Sequence, residues 1–292
     1  MLPKFVGGQV MKSLVKFLMA IAAVALVAAP ATADWEETEA YKMHWPQLPN
    51  PNGWDVNFGW PKILADDWQC NQTGPVKDIH FWFSWEADGG YPATQMIPPP
   101  PFGVHVSIHK DVPAGSDPTV DYSRPGELLW QRDFGPDAFT VRHYGFGDQG
   151  WYDPNEPYYR PNDHNNIWQA NITHILKPFP QERGTIYWLD LSILPISGID
   201  PPMLGWKTTL PKPFPQHDPA MWEWGGGWND DAVWGDDFDG DGQADFWNEM
   251  WDPIENVSLD LAFVITPEPS TLAMLLGVGL MGLLAFMRRR RG

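Results

Sequence analysis

Prolines and glycines interrupt this chain so often that they limit what it can fold into. The 292 residues include 31 Pro and 27 Gly, about one break in every five positions. Proline removes a backbone donor and clashes inside a helix, so long helices have almost no room. The intervals between breaks are short and rich in β-branched and aromatic residues, which favour strands. The sequence therefore predicts an all-β fold.

The clearest strand is predicted over residues 77–85, where alternate side chains from Ile79 to Trp85 share one apolar face. Residues 103–109 alternate apolar and polar side chains in the same way. Further strands are predicted at 63–66, 127–134, 139–144, 167–175, 185–194, 206–210 and 258–265. A short helix is predicted over 34–45. Many short strands joined by Pro/Gly loops predict an antiparallel, jelly-roll-like β-sandwich.

The N-terminus has the layout of a secretory signal. Two lysines precede an apolar run over 17–29, and small residues at 31–33 match what a signal peptidase reads. We therefore expect a signal peptide over 1–33, with cleavage before Asp34 as the protein is exported.

The C-terminus predicts a stop-transfer tail over 267–292. Sixteen mostly apolar residues, 272–287, follow a Pro-Glu-Pro box and would span about 24 Å as a helix, against a hydrocarbon core of about 30 Å. A basic cluster follows and should stay on the cytoplasmic side of the membrane. The box and the cluster are Pro267, Glu268, Pro269, Arg288, Arg289, Arg290 and Arg291.

These three features, in this order, resemble the PEP-CTERM sorting signal of Gram-negative bacteria that produce exopolysaccharide. The resemblance implies recognition by an exosortase, cleavage near the Pro-Glu-Pro box, and transfer to the cell surface or extracellular matrix. The alternative is an ordinary single-span anchor.

The body between the two ends, 34–266, resembles an uncharacterised extracytoplasmic β domain found in other PEP-CTERM proteins. The similar blocks are 64–68, 78–85, 229–234 and 259–265. The resemblance implies one domain and carries no activity.

The body is strongly acidic, with 12 basic and 36 acidic residues and a net charge of −24. Such a surface repels phosphate backbones, so we expect no nucleic-acid partner. The 18 Trp and 15 Phe of the chain indicate a packed domain rather than disorder. The single cysteine, Cys70, allows no intramolecular disulfide, and we expect it to be a buried small apolar residue.

An acidic loop over 237–245 predicts a calcium site. Carboxylates at loop positions 1, 3, 5 and 9, with glycine at 6, can fold around one hard cation. The expected ligands are Asp237, Asp239, Asp241, the carbonyl of Gln243, and Asp245 directly or through water. Asn248 stands at position 12, where a bidentate Glu is usual. The flanks hold glycine and proline, which indicates a helix-free calcium loop; a merely solvated acidic loop is the alternative.

Two further patterns are candidates for binding. Trp222, Trp224 and Trp228 lie among glycines and could stack on sugar faces, although such rings more often fill a core. His105, Ser107 and His109 share one strand face. The two histidines could ligate zinc or copper with further ligands, but we expect an exposed polar face.

The sequence holds none of the nucleophile, zinc, phosphate-loop or dinucleotide motifs of common enzymes. It therefore predicts a non-enzymatic, surface-sorted protein that binds calcium and contacts exopolysaccharide. One alternative is a secreted polysaccharide-acting hydrolase or lyase that uses paired carboxylates. The other is a purely structural surface protein.

Overall fold

The structure, a computed structural model, describes residues 34–85, 95–155, 158–194, 203–209, 231–255 and 257–266. These residues belong to one compact unit, 34–267. Three sets of predictions lie outside the described residues: the signal peptide, the sorting segment, and the candidate sugar-binding rings Trp222, Trp224 and Trp228. Among the residues described, no helix is long and apolar enough to cross a membrane.

The described residues are all-β and form fourteen strands. In chain order they are β1 (Trp54–Asn57), β2 (Lys62–Gln69), β3 (Gly74–Val76), β4 (Asp78–Trp85), β5 (Gly103–Val112), β6 (Arg124–Phe134), β7 (Thr140–Asp153), β8 (Tyr158–Ile172), β9 (Phe179–Gln181), β10 (Ile186–Leu194), β11 (Leu204–Lys207), β12 (Val233–Asp236), β13 (Asn248–Glu249) and β14 (Phe263–Thr266).

Two six-stranded sheets account for most of the fold. The first sheet has the order β11-β1-β7-β8-β4-β14, and β11 also pairs with β4, so five of its strands form a closed circuit of pairings. Its strands are antiparallel except for β1 and β7, which run parallel. The second sheet has the order β13-β12-β2-β10-β5-β6 and is antiparallel throughout. Strands β3 and β9 form a small third sheet.

Side chains from both six-stranded sheets share one hydrophobic core. Aromatic rings connect them: Trp68 of β2 lies edge-on to Phe263 of β14, with centroids 6.2 Å apart. Phe263 in turn lies 6.1 Å from the ring of Trp206 in β11. Edge-to-face pairs of this kind add about 0.5–1.5 kcal/mol each beyond the area they bury.

Most strand predictions are confirmed, but the predicted helix over 34–45 is wrong. That segment forms turns and an isolated bridge from Met43 to Cys70. Its backbone lies along β14, where the Lys42 N–H donates to the carbonyl of Ile265 at 2.7 Å. Long-range pairing therefore overrides the local propensity. Cys70 is fully buried, as expected.

A buried ionic network joins three strands of the closed circuit. The carboxylate of Asp55 in β1 lies 2.9 Å from the Nζ of Lys207 in β11 and 2.9 Å from the Nε2 of His164 in β8. The His164 Nδ1 lies 2.6 Å from the carboxylate of Asp163. Since both ring nitrogens face carboxylates, which only accept, each nitrogen carries a proton and the ring is an imidazolium cation. Burial alone would lower the pKa of His164, but the hydrogen bonds to Asp163 and Asp55 raise it to about 9.

Because the pKa of His164 is raised, we expect the free energy of unfolding to fall as the pH rises from about 6.5 to above about 9. The folded protein holds a proton on His164 that the unfolded chain releases near pH 6.5, so the stabilisation is complete below that pH and is lost as pH rises through about 9. We expect the loss to be about 3 kcal/mol of unfolding free energy, measured by urea unfolding between pH 6 and pH 10.

The matched control is His164→Gln, which keeps a hydrogen-bonding side chain but cannot take up the proton. Other titrating groups remain in both proteins, so the difference between the two curves isolates His164. Parallel pH curves for the two proteins would contradict the assignment.

Candidate functional site

The acidic loop begins where β12 ends and is anchored by Asp237. This residue is buried, and its backbone N–H donates to the carbonyl of Pro61 at 2.7 Å, which ties the loop to the turn before β2. Its carboxylate accepts hydrogen bonds from three backbone N–H groups, those of Gly240 at 2.6 Å, Asp241 at 3.2 Å and Gly242 at 3.0 Å. The loop therefore winds around its own first carboxylate.

Three of the predicted ligands come together. Oxygens of Asp237, Asp239 and Asp241 lie within 4.8 Å of one another, and the described residues contain no other such group of three or more His, Cys, Asp or Glu side chains. Like charges this close repel unless a cation neutralises them. A cluster of carboxylate oxygens is the donor set that Ca²⁺ prefers, at about 2.3–2.6 Å. These three residues could supply part of the oxygen shell of a calcium ion.

The other two predicted ligands have different contacts. The Asp245 carboxylate accepts a hydrogen bond from the backbone N–H of Phe238 at 2.9 Å and so links the end of the loop to its beginning. The side-chain amide of Gln243 donates to the Asp241 carboxylate at 3.2 Å. Asn248, at loop position 12, already lies in β13 opposite Trp234. The structure thus brings together the carboxylates at loop positions 1, 3 and 5, whereas the carboxylate at position 9, Asp245, links the two ends of the loop.

The polar face of β5 is buried, not exposed as the alternation suggested. His105, Ser107 and His109 are at most 9% exposed. Across the sheet, Ser192 and Asp190 of β10 stand opposite His105 and Ser107. This face of the second sheet therefore carries polar side chains that are shielded from solvent and must find partners within the protein.

His105 is fixed by two of those partners. Its Nδ1 lies 2.6 Å from the Asp133 carboxylate of β6, and its Nε2 lies 2.9 Å from the Ser107 hydroxyl. An ionised carboxylate only accepts, so Nδ1 carries a proton, and in the neutral tautomer Nε2 accepts from Ser107. The Asp–His–Ser order matches that of an acyl-transfer triad. However, Ser107 is fully buried, which shields its hydroxyl from a substrate.

His109 forms a separate pair. Its Nε2 lies 2.7 Å from the carboxylate of Asp190, which is fully buried, and its Nδ1 lies 3.0 Å from the carbonyl of Gly126. Burial alone would lower the pKa of His109, but the hydrogen bond and charge of Asp190 raise it above its ordinary value. The two histidines therefore have different carboxylate partners and do not converge on one metal.

The acidic loop packs directly on His105. Gly242 has a φ of +84°, and a Cβ built there would lie 2.9 Å from the Cε1 and Nε2 of His105. The loop and the polar face of β5, which the sequence presents as separate patterns, are therefore two walls of one site. No local pattern could have revealed this, because 136 residues separate His105 from Gly242 in the chain.

An open groove of about 560 Å³ lies between these walls. Asp237, Asp241 and Gly242 line one side, and His105, Asp133 and Ser192 are among the residues on the other. Trp60, which is 47% exposed, also lines it. The sequence analysis missed Trp60, Asp133 and Ser192, since each is unremarkable in its local segment.

Comparison with known proteins gives two matches. A family model described as a domain of unknown function, DUF7901, matches residues 43–266. The PEP-CTERM protein-sorting motif matches residues 266–291. No curated protein and no solved structure matches the chain.

The contact between Gly242 and His105 predicts that Gly242→Ala destabilises the protein more than Gly240→Ala does. Both glycines have positive φ, so each substitution costs about 1–2 kcal/mol of backbone strain. A Cβ at position 240 meets nothing within 4 Å, whereas one at 242 also displaces the His105 ring. We expect an extra loss of about 1 kcal/mol or more for Gly242→Ala in urea unfolding. Equal losses would contradict the contact.

Proposed function

We propose, from the premise that the chain belongs to the DUF7901 family and carries a PEP-CTERM sorting motif, that its body is a non-enzymatic calcium-binding domain of the cell surface or extracellular matrix. The sorting motif identifies an exported protein that an exosortase processes on its way to the cell surface. Calcium binding, contact with exopolysaccharide and the absence of catalysis are the proposed parts of this function.

The observation that carries the calcium proposal is the geometry of Asp237, Asp239 and Asp241. Their oxygens lie within 4.8 Å of one another, and hydrogen bonds from backbone N–H groups already fix the Asp237 carboxylate. A site organised in this way loses little conformational entropy when an ion binds. Calcium would supply the positive charge that these carboxylates lack, and so hold the loop on the sheet.

The net charge of the body supports the same proposal. A domain with a charge of −24 repels itself and other acidic polymers, and bound divalent cations reduce that repulsion. Extracellular calcium sites work at dissociation constants of roughly 10⁻⁴–10⁻³ M, so even a weak site would be filled in a medium with millimolar calcium.

The burial of Ser107 supports a non-enzymatic role, because the hydroxyl in the Asp–His–Ser arrangement is fully shielded. The alternative is a polysaccharide hydrolase or lyase that uses carboxylates at the groove. A purely structural surface protein is the third candidate. A binding protein retains polysaccharide without product, a hydrolase or lyase releases new chain ends, and a purely structural protein does neither.

We also infer a jelly-roll-like sandwich as the finer architecture. Two six-stranded sheets that contribute to one core support it, as does a chain that passes from one sheet to the other many times between β1 and β14.

The calcium proposal predicts that an Asp239→Asn, Asp241→Asn double variant loses calcium binding. Asparagine keeps the local turn hydrogen bonds but removes the charge that holds the ion. In calorimetric titration we expect affinity to fall more than about tenfold, and the calcium-induced rise in melting temperature to disappear.

The matched control is Asp117→Asn. Asp117 is another exposed aspartate whose carboxylate accepts a backbone N–H two residues along, that of Thr119 at 2.9 Å, but it lies outside the acidic loop. This variant should bind calcium as the parent protein does. Absence of calcium binding to the parent, or unchanged binding by the double variant, would overturn the proposal.

A further inference from the structure

The groove beside the acidic loop is a second candidate binding site. We infer that it binds neutral sugar units of a polysaccharide, with Trp60 as the stacking surface. This deepens the proposed contact with exopolysaccharide, on which it rests, and places that contact at residues other than Trp222, Trp224 and Trp228.

Trp60 provides the apolar part of the site. Almost half of its surface is exposed, although the other large rings of neighbouring β1 and β2, those of Trp54 and Trp68, are buried. Single exposed rings are common on protein surfaces, but this one lines a groove, where its face is open to a ligand. A flat indole face suits the apolar C–H face of a pyranose ring.

Ser192 provides a second, independent indication of a ligand. The residue is only 4% exposed and lines the groove, yet its hydroxyl has no hydrogen-bond partner within the described part of the chain. Burying a hydroxyl without a hydrogen-bond partner is unfavourable. Rotation of this short side chain toward the groove would let a sugar hydroxyl supply the missing hydrogen bond.

The remaining polar groups are placed to accept and donate hydrogen bonds. The side chain of Asp133 is 64% exposed even though one oxygen contacts His105, so it keeps acceptor capacity for a ligand. Gln131 is exposed on the same strand and offers both an amide donor and an acceptor. Because Asp133 and Ser107 hold His105 in one orientation, this wall needs little rearrangement on binding.

The charges of the groove select a neutral ligand. Asp133, Asp237 and Asp241 line it with carboxylates. Arg132 also lines it, but its guanidinium donates to the carbonyl of Leu176 at 2.6 Å and lies 5.4 Å from the ring of Phe134. Even with a calcium ion on the loop, the four carboxylates of Asp133, Asp237, Asp239 and Asp241 outnumber the three positive charges of the ion and Arg132. Anionic uronate units would therefore meet net repulsion, whereas hydroxyl groups pair well with carboxylates. The volume of about 560 Å³ lies within the roughly 300–1,000 Å³ range of small-molecule sites.

Affinity electrophoresis of the full chain in mild detergent tests the inference. The gels contain a neutral glucan, mannan or galactan, with alginate as the anionic control, and all contain calcium. We expect retardation by at least one neutral polymer and none by alginate. Trp60→Ala should weaken binding about tenfold or more, because it removes the stacking surface.

Two further variants serve as a control for Trp60→Ala and as a test of the Ser192 contact. Trp251→Ala removes a ring that is 42% exposed but does not line the groove, and should leave retardation unchanged. Ser192→Ala removes a buried hydroxyl that has no partner within the described residues, so it should leave the melting temperature equal or higher while lowering affinity severalfold. A purely structural serine would show no change in affinity.

Failure of this inference can be distinguished from failure of the calcium proposal by titrating calcium into the same Trp60→Ala preparation. Calcium binding should be intact there. No retardation by any neutral polymer, retardation by alginate alone, or equal retardation of Trp60→Ala and the parent would overturn the assignment. Loss of calcium binding in the parent with retardation preserved would overturn the calcium proposal alone.

Discussion

Aromatic rings, not a covalent cross-link, hold the two sheets together, and the rest of the structure depends on that packing. Cys70 is the single cysteine, and it is buried beside the edge of β2, where burial raises the pKa of its thiol. The domain is exported without an intramolecular disulfide, so burial must supply the stability that cross-links often supply outside the cytoplasm. The ring of Trp68 in the second sheet lies 6.2 Å from that of Phe263 in the first, and Phe263 packs in turn on Trp206 of its own sheet.

This core also fixes where the polar chemistry lies. Side chains alternate along a strand, so packing Val104, Val106 and Ile108 into the core sends His105 and its polar neighbours to the opposite face of β5. The acidic loop then covers that face, and each buried histidine there is held by a carboxylate. In the first sheet, Asp55 plays the same part for Lys207 and His164. Each of these buried histidines, and Lys207, thus lies beside a carboxylate that offsets part of its desolvation cost.

The sequence predicted what depends on short-range pattern. The apolar alternation around Phe81 gave β4, and the spacing of Asp237, Asp239 and Asp241 identified residues that the structure brings together. It did not predict what depends on distant partners. β1 is four residues long and pairs in parallel with β7, and β12 is equally short, so neither leaves a periodic signal. The helix expected over 34–45 failed because that segment pairs with distant backbone.

The candidate site likewise has one wall that the sequence predicted and one that it did not. Its acidic wall is continuous in sequence and could be read as a cation loop from spacing alone. Its other wall is assembled from β5, β6 and β10, with Trp60 from the turn before β2, and no local signal links these segments. The contact between Gly242 and His105 follows only from the order of strands in the second sheet.

We propose that the acidic loop holds a calcium ion against this sheet. The most direct measurement is a crystal structure of the protein grown in millimolar calcium. We expect an ion bound by oxygens of Asp237, Asp239 and Asp241 at about 2.3–2.6 Å, with Gly242 still packed on His105. A loop that binds only water at saturating calcium would contradict it.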